Sequence, residues 1–169
     1  MKQLELERIF LAKELPQDLK NPVLIKVGDF HDSDRVDSLK IKQKGDMCFL
    51  IKKEGDGGKR MEHIIPITQG EFDVIYPSAT IKHSKKRYMY PLGKRICEID
   101  IYDDGLFGYV RLEVEFDNEN DMNGFEPPQW FGEEITHLNH IIHAGLGTVT
   151  FAEMKRRYME EGIDLNIIG

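Results

Sequence analysis

Apolar and charged residues alternate with a period of two through most of this chain, the spacing of a β-strand with one dry face and one wet one. The clearest stretch is Leu4-Glu5-Leu6-Glu7-Arg8-Ile9-Phe10, which puts Glu5, Glu7 and Ile9 on one face and Leu4, Leu6, Arg8 and Phe10 on the other. The same reading predicts strands over Gln3–Ala12, Val23–Phe30, Asp37–Lys44, Met47–Lys53, Met61–Ile67, Ile81–Tyr90, Ile96–Tyr102 and Phe107–Phe116. Gly45-Asp46 is a two-residue hairpin signal, His31-Asp32-Ser33-Asp34 a polar loop, and Glu54-Gly55-Asp56-Gly57-Gly58-Lys59 a flexible one. Thr68 and Glu71 have capping-box spacing and predict a short helix over Glu71–Tyr76; Thr150 and Glu153 repeat the device and start a helix that runs through Glu161 and stops at Gly162. A helical turn is expected at Leu15–Leu19, one or two polar turns over Asn118–Gly124, and a helix over Glu134–Ala144 ended by Gly145. About eight strands with short helices between them and at the C-terminus make an α+β domain dominated by an antiparallel sheet. Residues 1–169 are expected to form one domain.

The polar faces carry an unusual charge pattern. Glu5 and Glu7 share a face, as do Lys40 and Lys42, Lys85 and Arg87, Glu98 and Asp100, and Glu113 and Glu115. A sheet face that is merely wet mixes signs and uses Ser, Thr and Gln; here whole strands are acidic and others basic, and like charges side by side repel unless something of opposite sign lies between them. A closed barrel with a polar interior resolves this. Its apolar residues face outward onto helices, its carboxylates hold a hard divalent cation through oxygen, and its basic rows hold phosphate oxygens. A two-residue loop at Gly45-Asp46 pairs Lys44 with Met47, Lys42 with Phe49 and Lys40 with Ile51, so Lys53 rather than Lys52 joins the lysine face.

Composition narrows the function classes. The formal charge of −7 excludes a global attraction to duplex nucleic acid or an acidic membrane, so any anion site is a local concentration of Lys and Arg. The N-terminus lacks a signal-peptide pattern, and no apolar run approaches the ~18 residues of a membrane span. A cytoplasmic location is expected, with Cys48 and Cys97 as reduced core residues. His137, His140 and His143 recur every three residues, but the outer two do not share a helix face, which favours a polar helix surface over a zinc site.

The order and spacing of these segments, from Leu4 to about Leu165, resemble the CYTH superfamily, the triphosphate tunnel metalloenzymes. The N-terminal Glu5-x-Glu7 followed by Arg8-x-Phe10-Leu11 is similar to the family signature, and Lys40/Lys42 match its basic third-strand pair. Lys53, Arg60-x-Glu62, Lys85-x-Arg87-Tyr88, Glu98-Ile99-Asp100, Glu113-Val114-Glu115 and Trp130-x-Gly132-x-Glu134-Ile135-Thr136 follow in the family's order. The resemblance implies an eight-stranded antiparallel closed β-barrel, a tunnel with peripheral short helices and a C-terminal helix. It further implies a hydrolase of triphosphate-containing substrates that uses Mg²⁺ or Mn²⁺; the family also holds adenylate cyclases, and a non-catalytic polyphosphate or nucleotide sensor is the alternative from another class. Glu5, Glu7, Glu113 and Glu115 are the expected catalytic residues. Lys40, Lys42, Lys53, Arg60, Lys85 and Arg87 are the expected phosphate ligands, and Glu5, Glu7, Glu62, Asp100, Glu113 and Glu115 the candidate metal ligands. Phosphoryl transfer suits such a set, because it needs charge neutralisation and alignment more than a covalent nucleophile. Inorganic triphosphate is the first substrate to expect, since nothing suggests a pocket for a base or a thiazole. The expected partner is a triphosphate-containing small molecule, with no membrane and no duplex nucleic acid, and with a homodimer left open. The chain departs from the family at Ile9, where the family has Lys, at Ile64, where a second Glu is common, and near Asn139 and His140, where an Arg is often found.

Overall fold

The computed structural model describes residues 1–30, 38–56, 58–142 and 146–165. The strands are β1 (Lys2–Ala12), β2 (Val23–Asp29), β3 (Ser38–Lys44), β4 (Met47–Asp56), β5 (Lys59–Ile67), β6 (Ile81–Leu92), β7 (Arg95–Tyr102) and β8 (Val110–Glu115). They pair antiparallel in the order β5-β4-β3-β2-β6-β7-β8-β1, and β1 returns to β5, so the expected eight-stranded barrel is closed. The hairpin at Gly45-Asp46 has the expected register, with Lys44 opposite Met47, Lys42 opposite Phe49 and Lys40 opposite Ile51. The loop expected at Glu54–Lys59 is shorter than the sequence suggested. Pairing runs on to Asp56 opposite Lys59, because Gly55 takes a φ of +105° that few side chains would accept. The polar loop at His31–Asp34, the first residue expected in the third strand (Asp37), Gly57, and the segment His143–Gly145 lie outside the described residues.

The expected helix over Glu134–Ala144 is mostly not one. Phe131–Glu134 forms a short strand, β9, and only Asn139–Ile142 is helical there (α3). The reason lies on β1, which turns alternate backbone groups to opposite edges. Leu6 O accepts from Phe116 N on the β8 side, whereas Glu7 N donates to Gly58 O beside β5, and Ile9 O accepts from Ile135 N where β5 has ended. The 131–135 segment takes up an edge that would otherwise be unpaired. Arg8 pins it there, donating to Glu134 through Nε at 2.9 Å and Nη2 at 2.5 Å. Leu15–Leu19 is a turn without helix; Leu15 and Leu19 pack under the barrel wall. The capping boxes do define their helices: α1 covers Gln69–Ile75 with Thr68 and Glu71 reciprocally bonded, and α4 covers Phe151–Glu160 with Thr150 accepting from Glu153 N. A shorter helix, α2, covers Glu119–Asn123. Among the described residues, no helix is long and apolar enough to cross a membrane.

The apolar residues are distributed in three places, and the distribution sets the function. Leu6, Phe10, Ile99, Leu112, Val114 and Phe116 point out of the barrel and are covered by Phe125, Trp130 and Phe131. Ile41 and Cys48 are covered by Phe72 of α1. The third cluster lies on the inward face at one end: Ile9, Leu11 and Tyr102 from the strands and Tyr109 just before β8 meet Leu146, Met154, Tyr158 and Leu165. Tyr109 and Tyr158 share a hydrogen bond of 2.8 Å across this contact. Helix α4 and the segment before it therefore stopper one mouth of the barrel, and the interior is a cup. The stopper is fitted closely at Gly147, where an added Cβ would stand 1.9 Å from Lys82 O on β6. Gly147→Ala is expected to push this segment off the barrel and cost about 1–3 kcal/mol, read as a fall of roughly 2–12 °C in Tm. An unchanged Tm would show that the segment has room to move.

Candidate active site

The inward face encloses a cavity of about 300 Å³, at the small end of the range for ligand sites. Period-two alternation places its wall. Glu5 and Glu7 come from β1, Lys40, Lys42 and Lys44 from β3, Lys53 from β4, Arg60 and Glu62 from β5, Lys85 and Arg87 from β6, and Glu113 and Glu115 from β8. These include all the residues expected from the sequence except Asp100, which is fully buried behind Lys85 and Arg87 and does not line the cavity. Six polar lining residues fall outside the expected set, each two residues along the chain from a member of it: Gln3, Lys44, His83, Glu98, Tyr102 and Arg111. The alternation alone carried that signal.

Two ion-pair clusters organise the wall. In the first, Lys53 Nζ donates to Glu5 at 2.9 and 3.0 Å and lies 2.5 Å from Glu62, while Arg60 sits 3.2 Å from Glu5 and donates to Glu7. In the second, Arg87 donates to Asp100 through Nε and Nη2 (both 2.6 Å), to Glu113 (2.6 Å) and to Glu98, and Lys85 donates to Asp100. In the second cluster the register sets opposite signs side by side, Arg87 against Asp100 and Asp100 against Arg111, whereas Glu98 opposes Glu113 and Glu7 opposes Glu115.

Two imbalances remain. Burial and the neighbouring Glu7 push the Glu5 carboxyl up to about 7, and burial, Glu7 and Glu113 raise Glu115. Glu7 and Glu115 are directly opposite each other across β1 and β8. Glu113, by contrast, is held well below the carboxylate range: burial acts against its charge, but Lys85, Arg87 and Arg111 outweigh it. On the basic side, burial together with Arg87, Lys85 and Lys53 lowers the Lys42 ammonium to about 7. Lys42 makes no ion pair among the described residues. Charge inside the cup is thus least balanced at Glu115, which faces Glu7 and lies near Glu113, and at Lys42, a distribution that a metal-bound polyanion would even out. Three oxygen-rich side chains are not drawn into a ready cage among the described residues, since Lys53, Arg60 and Arg87 occupy the spaces between them. Of the three histidines spaced by three, His137 lies in a turn, His140 reaches Glu161 at 2.9 Å, and His143 is outside the described residues.

The chain is similar to an inorganic triphosphatase of Nitrosomonas europaea, 31% identical over 134 residues that span 78% of this chain and 89% of the relative. The crystal structure of an inorganic triphosphatase matches it with a TM-score of 0.63 at 27% identity, over 85% of this chain and 94% of the other. A candidate adenylate cyclase of Bacillus halodurans shares the fold at a TM-score of 0.57 and 14% identity, over 72% of this chain and 85% of that one. No protein-family model matches the chain. With the closed barrel, its polar interior and this extent of similarity, the chain belongs to the CYTH superfamily, the triphosphate tunnel metalloenzymes.

Proposed function

We propose that this protein hydrolyses inorganic triphosphate with the help of Mg²⁺ or Mn²⁺. The observation that carries the reading is the stoppered cup whose wall holds both Lys42, an ammonium with no ion pair among the described residues, and a facing carboxylate pair, Glu7 and Glu115, with Arg60 on Glu7 as its cationic contact. The similarity to an inorganic triphosphatase supports the same reaction. The cavity volume of about 300 Å³ suits a compact polyanion.

Lys42, Lys53, Lys85 and Arg87 reach the cavity from three neighbouring regions of the wall and would grip the phosphate oxygens from several sides. The oxygen donors of Glu7 and Glu115 fit a hard divalent cation, which on binding would neutralise charge on the phosphate oxygens. Glu5, with a carboxyl that titrates near 7, is suited to take the proton of the attacking water. The bond from water oxygen to phosphorus forms as the phosphoanhydride bond breaks, and the charge on the departing diphosphate is met by the basic rows.

Phosphate release from triphosphate and from ATP, with Mg²⁺, Mn²⁺ or EDTA, tests the proposal. Release from triphosphate is expected, faster than from ATP and abolished by EDTA. Absence of turnover, together with triphosphate binding that persists in EDTA, would make the protein a polyphosphate-binding protein instead. The pH profile adds a check on Lys42. Its lowered value means the free enzyme loses this charge as pH rises through about 7, so kcat/KM for triphosphate is expected to fall on the alkaline side. The groups that face it are Arg87, Lys85, Lys53 and Glu113. Lys42→Arg, which keeps its charge, is expected to hold kcat/KM to higher pH; an unmoved alkaline limb would remove Lys42 from the anion site.

A further inference from the structure

The stoppered end of the cup contains charge that the expected site does not use. Arg111 lines the cavity there, is buried, and donates to Glu113. Its guanidinium stands 5.5 Å from the centre of the Tyr102 ring. Around it the wall holds Lys40, Lys85 and His83. His83 is buried and kept neutral, first by desolvation and then by Lys40, Lys85 and Arg111, and its Nδ1 has no hydrogen-bond partner among the described residues. A cavity-lining histidine with a buried, unpartnered ring nitrogen and three cations around it marks a place where a polar, anionic group would be met favourably.

The strand register connects Arg111 with Ile9. On β1 the inward row runs Glu5, Glu7, Ile9, Leu11, and at Ile9 it changes from carboxylate to the apolar stopper. Ile9 pairs with Glu113 and Leu11 with Arg111, so Ile9 and Arg111 are diagonal neighbours on one face of two adjacent strands. Diagonal Cβ atoms in such a pair are about 7–8 Å apart, within the reach of a long side chain. The ammonium that the family signature would place at residue 9 and the guanidinium at residue 111 therefore serve the same end of the cavity from adjoining strands.

We infer that Arg111 is a phosphate-binding residue that seats the innermost phosphoryl group of the substrate at the stoppered end of the cup, in the role that Ile9 leaves empty. The guanidinium presents a planar fork that matches two phosphate oxygens, which a single ammonium cannot do. Lys40 and Lys85 flank the bound group, and His83 offers it a neutral hydrogen-bonding partner. The ring of Tyr102 lies against the guanidinium and supports it from one side. The assignment rests on the triphosphate reading above.

The test is calorimetric titration of inorganic triphosphate into wild type, Arg111→Leu, Arg111→Lys and the exchange variant Ile9→Lys/Arg111→Leu, with EDTA present and the Tm of each protein measured. Arg111→Leu is expected to weaken binding at least thirtyfold, Arg111→Lys three- to tenfold, and the exchange variant is expected to recover most of the loss. Should Arg111→Leu fail to fold, Arg111→Lys and the exchange variant decide the matter. A folded Arg111→Leu or Arg111→Lys that binds triphosphate as wild type does overturns the assignment while leaving the functional reading intact. A wild-type protein that binds no triphosphate in EDTA overturns the assignment, and one that in addition releases no phosphate from triphosphate with Mg²⁺ or Mn²⁺ overturns the functional reading with it.

Discussion

Glu7→Gln is expected to slow phosphate release on the order of a thousandfold, the scale on which removing one well-placed charged group acts, while the barrel remains folded. Glu7 is 4% exposed, opposes Glu115 directly, and accepts from Arg60. Glutamine has the same shape and still offers an oxygen to Arg60, so the wall keeps its contact. What it removes is one of the two charges available to a hard cation, and neutral amide oxygens hold such ions more weakly. The substitution also relieves repulsion on Glu5 and Glu115, both of which Glu7 pushes up. Tm should therefore hold or rise slightly even as activity is lost, a separation that a general folding defect cannot produce. Initial rates measured against Mg²⁺ and Mn²⁺ concentration, beside a melting curve, check both halves. Activity within tenfold of wild type would take Glu7 out of the catalytic set.

Arg87→Met is expected to have the largest effect on stability, about 3–5 kcal/mol, as for the removal of one partner from a buried charge network. For a chain of this size that corresponds to a fall of roughly 6–20 °C in Tm. Arg87 bridges three carboxylates, and one of them, Asp100, is 0% exposed. Methionine fills much of the volume but leaves Asp100 with Lys85 and Glu113 with Lys85 and Arg111. The pH dependence identifies the cause. In wild type Glu113 is held well below its ordinary range, so its contribution to stability is present above the unfolded carboxylate pKa and is lost as pH falls through the lower folded one. The variant has already lost much of that contribution at neutral pH, and the gap between the two proteins should narrow as the solution is acidified. Denaturant melts at neutral and acidic pH measure it; a gap that stays constant would mean that lost packing, not lost charge pairing, sets the cost.

Much of the site was legible before the fold was known, and for a plain reason. A strand has a period of two, so Glu5/Glu7, Lys40/Lys42, Lys85/Arg87 and Glu113/Glu115 had to share faces whatever they packed against. The Gly45-Asp46 hairpin then brought Lys53 rather than Lys52 to the lysine face, because paired residues point to the same side. His83 and Arg111 obeyed the same alternation and could have been read from it, but their weight came from neighbours that only strand order supplies: Lys40 and Lys85 around His83, and Ile9 beside Arg111. Asp100 shows the opposite case. It shares the inward alternation, yet Lys85 and Arg87 enclose it, so it serves them and not the cavity surface. Residues 134–144 read as a helix because their local periodicity allowed one, and the exposed edge of β1 beyond β5 drew Phe131–Glu134 into the sheet instead.

Which side chains face together, and that several of those faces carry runs of like charge, follows from local geometry and residue identity alone. Tertiary contacts added that the face is closed, that oppositely charged side chains from different strands meet inside it, and that Ile9 belongs to a stopper formed with α4, far along the chain. Closure, the interior ion pairs and the stopper are contacts between residues distant in sequence. They are set by which strand edges find partners and by where Met154 and Tyr158 bury themselves, and neither is encoded in a window a few residues wide.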